Sequence, residues 1–432
     1  GKSHLIGSQL YGLSFRTGQY FGESMLIGAI TGLVVVLFRY LIGFGDFAFN
    51  SLPEGRWRVF LPAIGALLGY LLIKRFSSVD TARGTDSAVK AYHQKDGYVP
   101  GAVLPVKSVA SVLTVASGGS AGYEGPVTLL GAAVGSLVSR ALNLTSRARR
   151  ILMAAGLAAG IAALFEAPLA GAIFGFEIFY SSSDIEYETV LPSFIASAVS
   201  YTVFACFFGW GSLFMMPSMP VFDSAIRLLP YSVLALVIVF GARFYISVFR
   251  AVEAKFTAVE LGGWEKVMIG GFLTGAIGLV IPEILGTSYG VIQECLLGDD
   301  SGSVALFIGL FFAKAIATSF TVGSGGSGGV FAPAIVCGGS LGAAVGLLFQ
   351  RYLPASFGIS PAAFALVGMA GFLASAIRIP LTAIVMVAEI SGNHSLLVPA
   401  MFVCGISFWL NNGWSLYRSQ VHSRESSPVH RA

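Results

Sequence analysis

Ser117-Gly118-Gly119-Ser120-Ala121-Gly122-Tyr123-Glu124-Gly125-Pro126 sets a single carboxylate in a glycine-rich turn, directly before a proline that opens a long apolar segment. Proline is favoured at the first position of a helix, so Gly125-Pro126 reads as a helix N-terminus. Unpaired N–H groups there, with the helix dipole, make a place of positive potential that attracts anions. Glu124 stands where a bound anion would stand. The turn recurs 207 residues later as Ser324-Gly325-Gly326-Ser327-Gly328-Gly329-Val330-Phe331-Ala332-Pro333, with Phe331 in place of the glutamate.

The recurrence belongs to a longer internal repeat. Lys107 to Pro126 and Lys314 to Pro333 are identical at 10 of 20 positions. Beyond the turns, Pro168-Leu169 through Glu177-Ile178 matches Pro380-Leu381 through Glu389-Ile390 at an offset of 212. Each half carries a lysine, a glycine turn, a glycine-rich helix and a proline-started helix that ends in Glu-Ile. The core of the first repeat is expected over 103–180 and that of the second over 310–391. Paired, interrupted segments in two halves point to a transport site at the repeat interface. Spacing alone leaves parallel and inverted arrangements open.

Composition puts these repeats in a membrane. The 432 residues are 55% hydrophobic and 11% charged, with a mean hydropathy of +0.79, against roughly 25% charged residues in a soluble chain. Apolar runs begin at Met25–Phe44 and Val59–Ile73 and continue to Leu396–Leu410. Many are shorter than the roughly 20 residues of a full crossing. Broken helices of that kind are tolerated only where their backbone is buried in protein or lines a polar cavity. The expected fold is an all-α polytopic membrane protein, 1–432 forming one transmembrane domain of two repeated halves.

The net charge of +4 is small and dispersed, which excludes a nucleic-acid footprint. Arg140, Arg147, Arg149 and Arg150, and then Arg418, Arg424 and Arg431, gather at loops that the positive-inside rule places in the cytoplasm. Acidic clusters at Asp184, Glu186 and Glu188 and at Asp299 and Asp300 give no orientation. Cys206, Cys295, Cys337 and Cys404 have no paired spacing and read as small buried hydrophobes. Lys2 to Gln19 is polar and mixed, without the pattern of a cleavable signal peptide.

Other readings of these residues compete. Gly118-Gly119-Ser120-Ala121-Gly122 matches the G-x-S-x-G nucleophile elbow of a hydrolase, but that needs a strand-to-helix turn and a partner histidine. His4, His93, His394, His422 and His430 lie outside the central apolar spans. Glycines used purely for helix packing, or a carboxylate serving only as a helix cap, are blander alternatives. A carboxylate in an apolar region is costly and reads first as functional. Ionised, it would occupy the site as a substitute anion; protonated, it would swing out and admit a real one. Glu177 and Glu389, which close repeat-related helices, read as structural hydrogen-bonding groups. Lys107 and Lys314 read as snorkelling or helix-end residues. Arg378 reads as a partner for a helix C-terminus or a carboxylate.

Gly-x-Glu-Gly-Pro at 122–126, Gly-x-Phe-x-Pro at 329–333, Ala167-Pro168-Leu169-Ala170-Gly171 and Leu416-Tyr417 together resemble the CLC family of chloride channels and Cl⁻/H⁺ antiporters. The resemblance spans nearly the whole membrane region, in order. It implies antiparallel repeats, a homodimer with one pore per subunit, and chloride held at converging helix N-termini. Position by position, it makes Glu124 the external gate and proton carrier. Val330 and Phe331 would hold the central anion through their backbone N–H groups, with Tyr417 adding its hydroxyl. Gly125 and Ala332 fall in the same anion-binding set, as does Tyr123, which stands where arginine is common. Thr85 would replace the serine of the family's first anion motif, here Gly84-Thr85-Asp86-Ser87-Ala88, with Asp86 a poor neighbour for chloride. Ile178 occupies the place of the internal proton glutamate of many antiporters. The 15 residues after Tyr417 imply no cytoplasmic regulatory domain.

The expected function is chloride transport, as slow or loosely coupled Cl⁻/H⁺ exchange gated by Glu124. The alternatives are a passive chloride channel and, remotely, an intramembrane hydrolase. The expected partners are chloride, protons, the bilayer and a second copy of the chain. No enzyme activity, no nucleic acid and no cofactor beyond bound chloride is expected, and the location is a bacterial plasma membrane.

Overall fold

The computed structural model describes residues 20–76, 84–216, 222, 224–298, 302–354 and 357–431. The stretch through Gln19 and the pair Asp299-Asp300 lie outside them. Sixteen α-helices and short 3₁₀ turns make up the described residues, with only two isolated β-bridges. In order they are α1 Phe21–Asn50, α2 Leu61–Phe76, α3 Thr85–Gln94, α4 Val103–Ala116, α5 Glu124–Ala141, α6 Ser146–Leu164, α7 Pro168–Glu177 and α8 Val190–Phe208. There follow α9 Leu228–Ala258, α10 Gly263–Gly278, α11 Tyr289–Leu297, α12 Val304–Gly323, α13 Phe331–Tyr352, α14 Pro361–Ala376, α15 Pro380–Ser391 and α16 Leu397–Leu410.

Local chemistry sets many of these boundaries. Pro168, Pro361 and Pro380 occupy first-turn positions, where a missing N–H removes no helical bond. Thr145 accepts from Ala148 N at 3.2 Å to start α6, and Ser303 accepts from Leu306 N at 3.1 Å to start α12. Gly392 stops α15 in the left-handed region at φ 65°. The opening turn departs slightly from expectation. α5 begins at Glu124, two residues before the proline, so the carboxylate sits on the first helical residue itself.

Among the described residues, six helical segments, with their 3₁₀ flanks, are long and apolar enough to cross a membrane: Phe21–Asn50, Arg56–Phe76, Tyr187–Phe208, Ala225–Ala258, Val304–Gly323 and Phe331–Tyr352. They differ in place. The apolar window of Phe331–Tyr352 is 89% buried and that of Arg56–Phe76 only 33%, so the former is central and the latter peripheral. Outward-facing side chains such as Phe44, Phe240, Val280 and Trp409 are largely uncovered, which fits a lipid surface. The shorter apolar helices α4, α14 and α15 supply the broken elements. Cys337 and Cys404 are buried, whereas Cys206 is exposed on α8, and all four cysteines are free thiols.

The repeats meet about a pseudo-two-fold. Gly122 N donates to Gly329 O and Gly329 N to Gly122 O, both at 2.9 Å, as one antiparallel bridge. Ser111 of the first repeat bonds Ser327 of the second repeat's turn at 3.0 Å. In mirror fashion, Thr318 of the second repeat bonds Ser120 of the first at 3.0 Å. Helix pairs α5–α6 and α13–α14 pack backbone to backbone. A Cβ on Gly131 or Gly156 would strike the other's carbonyl, and Gly338 and Gly368 are related likewise. Only glycine permits that approach. The two halves therefore run antiparallel where they touch.

Glu177 and Glu389 close each other's repeat. Glu177 accepts from Leu381 N and Thr382 N, both at 2.8 Å, and from Thr382 Oγ1 at 2.6 Å. Glu389 accepts from Leu169 N at 3.0 Å and Ala170 N at 2.7 Å. Each carboxylate caps the proline-started helix of the other half, α15 or α7. Their expected structural role is thus what the geometry shows. The lysines depart from expectation: Lys107 and Lys314 have no exposure and do not snorkel. Lys107 Nζ donates to Ser327 Oγ at 2.9 Å. Lys314 Nζ donates to Ile284 O at 3.0 Å, Gly286 O at 2.7 Å and Ser288 Oγ at 2.8 Å. Buried oxygen acceptors satisfy the ammonium in place, so reaching for water is unnecessary. Arg378 is also buried and donates to Ser181 O at 2.8 Å and to Phe408 O near the C-terminus of α16.

Candidate functional site

Three backbone segments converge on Glu124. A Cβ on Gly84, at φ 50°, would collide with the backbone of Gly125, and one on Gly125 would lie 2.9 Å from Gly329 Cα. Gly84 in the left-handed region therefore seats the N-terminus of α3 against the first turn of α5, which in turn touches the second glycine turn. The Glu124 side chain folds back over its own turn. A Cβ on Gly122 would collide with Glu124 Oε2 and lie 2.7 Å from Ala332 Cβ. The carboxylate therefore rests between the N-termini of α5 and α13.

Its contacts are few. Tyr289 Oη donates to Glu124 Oε1 at 2.6 Å. The backbone N–H groups of Glu124 and Ala332 face the carboxylate, while Oε2 completes no hydrogen bond. Lys314 lies close enough for its charge to act weakly on Glu124. A carboxylate at a partly buried helix N-terminus gains up to about 2 kcal/mol from the dipole. A single unsatisfied buried oxygen offsets about as much, so the carboxylate is held in this place without being locked.

Cavities lie on both sides of this carboxylate. An outer one of about 480 Å³ is lined by Asp46, Arg58, Tyr123, Glu283, Tyr289 and Glu294 among others. An inner one of about 20 Å³ is lined by Asp86, Phe249, Val322, Gly328, Val330, Leu416 and Tyr417. The inner volume suits one water or one small ion, since a water needs roughly 10–15 Å³ on this measure. The Tyr417 hydroxyl faces Thr85 and completes no hydrogen bond. Thr85 Oγ1 bonds Thr128 Oγ1 at 3.2 Å, and Thr128 Oγ1 donates to the Glu124 carbonyl at 2.5 Å.

The structure thus brings together Thr85, Glu124, Gly125, Val330, Ala332 and Tyr417. Phe331 lies with them at the start of α13, its ring packed on Phe165 and Phe174 at 5.4 and 5.8 Å. Two residues stand apart. The Tyr123 side chain turns into the outer cavity and meets Phe38 edge-on at 5.8 Å, so only its backbone belongs to the turn. Ile178 is fully buried in the apolar core, and its carbonyl accepts from Gln420 Nε2 at 3.0 Å. Asp86, an awkward neighbour for an anion, accepts from Ser419 N at 2.9 Å and so fixes the segment carrying Tyr417. Ser120, the serine of the elbow-like match, is tied to Thr318.

Sequence reasoning missed Tyr289 and the 284–288 segment behind it. They lie in neither repeat and match no motif. The one available signal is Gly286-Thr287-Ser288-Tyr289, a small polar interruption after an apolar span.

Comparison with known proteins follows the same lines. The family model described as voltage gated chloride channel matches residues 65–412. The chain is 31% identical over 396 residues to the "H(+)/Cl(-) exchange transporter ClcA" of Yersinia pseudotuberculosis serotype IB, covering 88% of this chain and 81% of that one. It is 30% identical over 351 residues to a Ralstonia nicotianae protein whose name includes the words "chloride channel protein ClcB-like", covering 80% of each. The fold is similar to the crystal structure of a CLC-type fluoride/proton antiporter, with a TM-score of 0.81 and 22% identity, covering 93% of this chain and 97% of that one.

Proposed function

The chain belongs to the voltage-gated chloride channel family, CLC, and from that premise we propose that it exchanges chloride for protons, slowly or loosely coupled, with Glu124 as gate. Chloride transport itself rests on the family. The observation that carries the finer reading is the Glu124 carboxylate at the N-termini of α5 and α13, between an outer and an inner cavity. Ionised, it fills the place of an anion. Protonated, it loses its charge and its claim on the helix dipoles, and chloride takes that place. The N–H groups at Val330 and Phe331 and the Tyr417 hydroxyl, which completes no hydrogen bond, are donors for an anion, Ala332 N–H already faces the Glu124 carboxylate, and Thr85 and Gly125 border the same space. Two copies of the chain, each with its own pore, make up the working unit.

The second reading is a passive chloride channel, and one observation favours it. Ile178 is apolar and enclosed, while the neighbouring Glu177 carboxylate is committed to the cap of α15. Neither offers an inward proton relay.

Flux from proteoliposomes with an imposed chloride gradient and a pH probe separates the two. Exchange drives protons uphill; a channel passes chloride with no proton movement. In Glu124→Gln the proton movement stops and chloride flux continues without pH dependence. Intact proton pumping in that variant removes Glu124 from the mechanism.

A further inference from the structure

Tyr289 is the first residue of α11 and contacts Glu124 across 165 residues of sequence. Its ring lines the outer cavity, and its hydroxyl meets Glu124 Oε1 at 2.6 Å. It therefore stands between the outer cavity and the gate.

The ring is aimed from two sides. Behind it, Lys314 spends three donors on Ile284 O, Gly286 O and Ser288 Oγ, pinning the segment that leads into α11. Ser288 is held at φ 64°, a left-handed conformation unusual for serine. On the other side Phe214 meets the ring edge-on at 5.7 Å, and Phe214 N is fixed to Ile390 O at 2.9 Å. The repeat-related Lys107 serves a different purpose, bonding Ser327 inside the repeat interface. The second lysine has thus diverged from the symmetry to hold the outer segment.

We propose that Tyr289 is the outer latch of the gate, a positioning residue whose hydroxyl holds the ionised Glu124 carboxylate in the closed position. This role rests on Glu124 being the gate. A hydrogen bond to a carboxylate is about twice as strong as one to a neutral carboxyl. The latch therefore grips the charged gate and relaxes when the gate takes up a proton. Proton arrival and release of the side chain become one event. Among the described residues, the charged or titratable groups around Glu124 are Tyr289 from α11, Lys314 from α12, Tyr417 beyond α16 and the adjacent Tyr123, with Asp86 from α3 beside Tyr417 in the inner cavity. Asp46, Arg58, Glu283 and Glu294 line the outer cavity.

The test is chloride efflux from proteoliposomes as a function of pH for the unaltered chain, Tyr289→Phe, Glu124→Gln and the double variant. Phenylalanine keeps the ring and removes one oxygen. At alkaline pH, where the gate is charged, Tyr289→Phe is expected to raise efflux about tenfold, the factor for losing one hydrogen bond to a charged group. The pH of half-maximal efflux should rise by about one unit for the same tenfold change. On Glu124→Gln the same substitution should alter efflux by less than about twofold, because that gate carries no charge to grip. An unchanged midpoint in Tyr289→Phe, with pH dependence lost in Glu124→Gln, overturns the latch and leaves the gate standing. Equal slowing in both backgrounds also overturns it, as the mark of a merely structural residue. Unaltered pH dependence in Glu124→Gln overturns the gate reading and the latch with it.

Discussion

Tyr417 is buried, and its hydroxyl completes no hydrogen bond. A buried hydroxyl without a partner costs about 1–3 kcal/mol, so an acceptor entering the inner cavity recovers that energy. Tyr417→Ala is expected to weaken chloride binding about tenfold or more, the loss of one hydrogen bond to an anion. Isothermal titration calorimetry reads it directly, and unchanged affinity would remove Tyr417 from the site. Residues of this kind were legible to different degrees. Glu124 was plain in the sequence because a carboxylate in a glycine turn before a proline is a chemical anomaly that the repeat then underlined. Lys314 was misread, because nothing in its own segment shows the three oxygens that meet it from 284–288. Tyr289 was hard to read, since a tyrosine ending the short polar interruption Gly286-Thr287-Ser288 gains its meaning only when the fold sets it beside a carboxylate.

At the scale of helices, the two repeats are stitched by exchanged caps. Glu389 satisfies two N–H groups at the head of α7. Glu389→Ala should therefore cost about 1–3 kcal/mol, seen as a lowered melting temperature in detergent, with Glu389→Gln milder because the amide still offers one oxygen. An unchanged melting temperature in Glu389→Ala would show that water reaches the head of α7. The repeat itself was readable from the 207 and 212 offsets, and with it the helices that start at Pro168 and Pro380. The antiparallel sense was not, because a repeated sequence looks the same in either orientation. The reciprocal Gly122–Gly329 bridge is a contact, and contacts are not written in spacing. Helix ends also escaped: α1 runs on to Asn50, past the apolar stretch ending at Phe44, because the mixed residues Gly45 to Asn50 contain no proline or capping signal that would stop a helix.

The molecule as a whole is an integral inner-membrane protein with two unlike faces. Arg147, Arg150 and His430 line one cavity, and Arg424 and His430 another, so the basic loops and the C-terminal segment share a face that the positive-inside rule assigns to the cytoplasm. His93 fastens that segment, its Nδ1 to Ser427 Oγ at 2.9 Å and its Nε2 to Phe179 O at 3.0 Å. Burial, only partly offset by the Phe179 carbonyl and the Glu186 charge, holds His93 below the ordinary imidazole range. The folded state then binds fewer protons than the unfolded one. Stability from this contact is complete above that range and drains as pH falls through the lower folded value. Burial pushes the Glu186 carboxyl up, but hydrogen bonds from Tyr180 and His430 outweigh it and leave it below the usual carboxylate range, so its contribution fails only at still lower pH. Hydrogen exchange at the amides of Ser426, Ser427 and His430 should lose protection between about pH 7 and pH 5, once intrinsic rates are corrected. Constant protection across that window would mean that His93 does not hold the segment.

The exchanged caps also set a timetable. The N–H groups of Leu381 and Thr382 take their acceptor from a residue made more than 200 positions earlier, and those of Leu169 and Ala170 wait for one 220 positions later. At about 5–20 residues per second of synthesis, the head of α7 is in place for roughly 10–40 seconds before Glu389 exists. During that interval the first half carries donors without their native acceptor and a glycine turn without its partner. It can be threaded into the bilayer but cannot be finished. The order of assembly is therefore written into the chemistry: the head of α7 receives its cap only once Glu389 has been made, so loss of that late carboxylate is felt at a helix made long before.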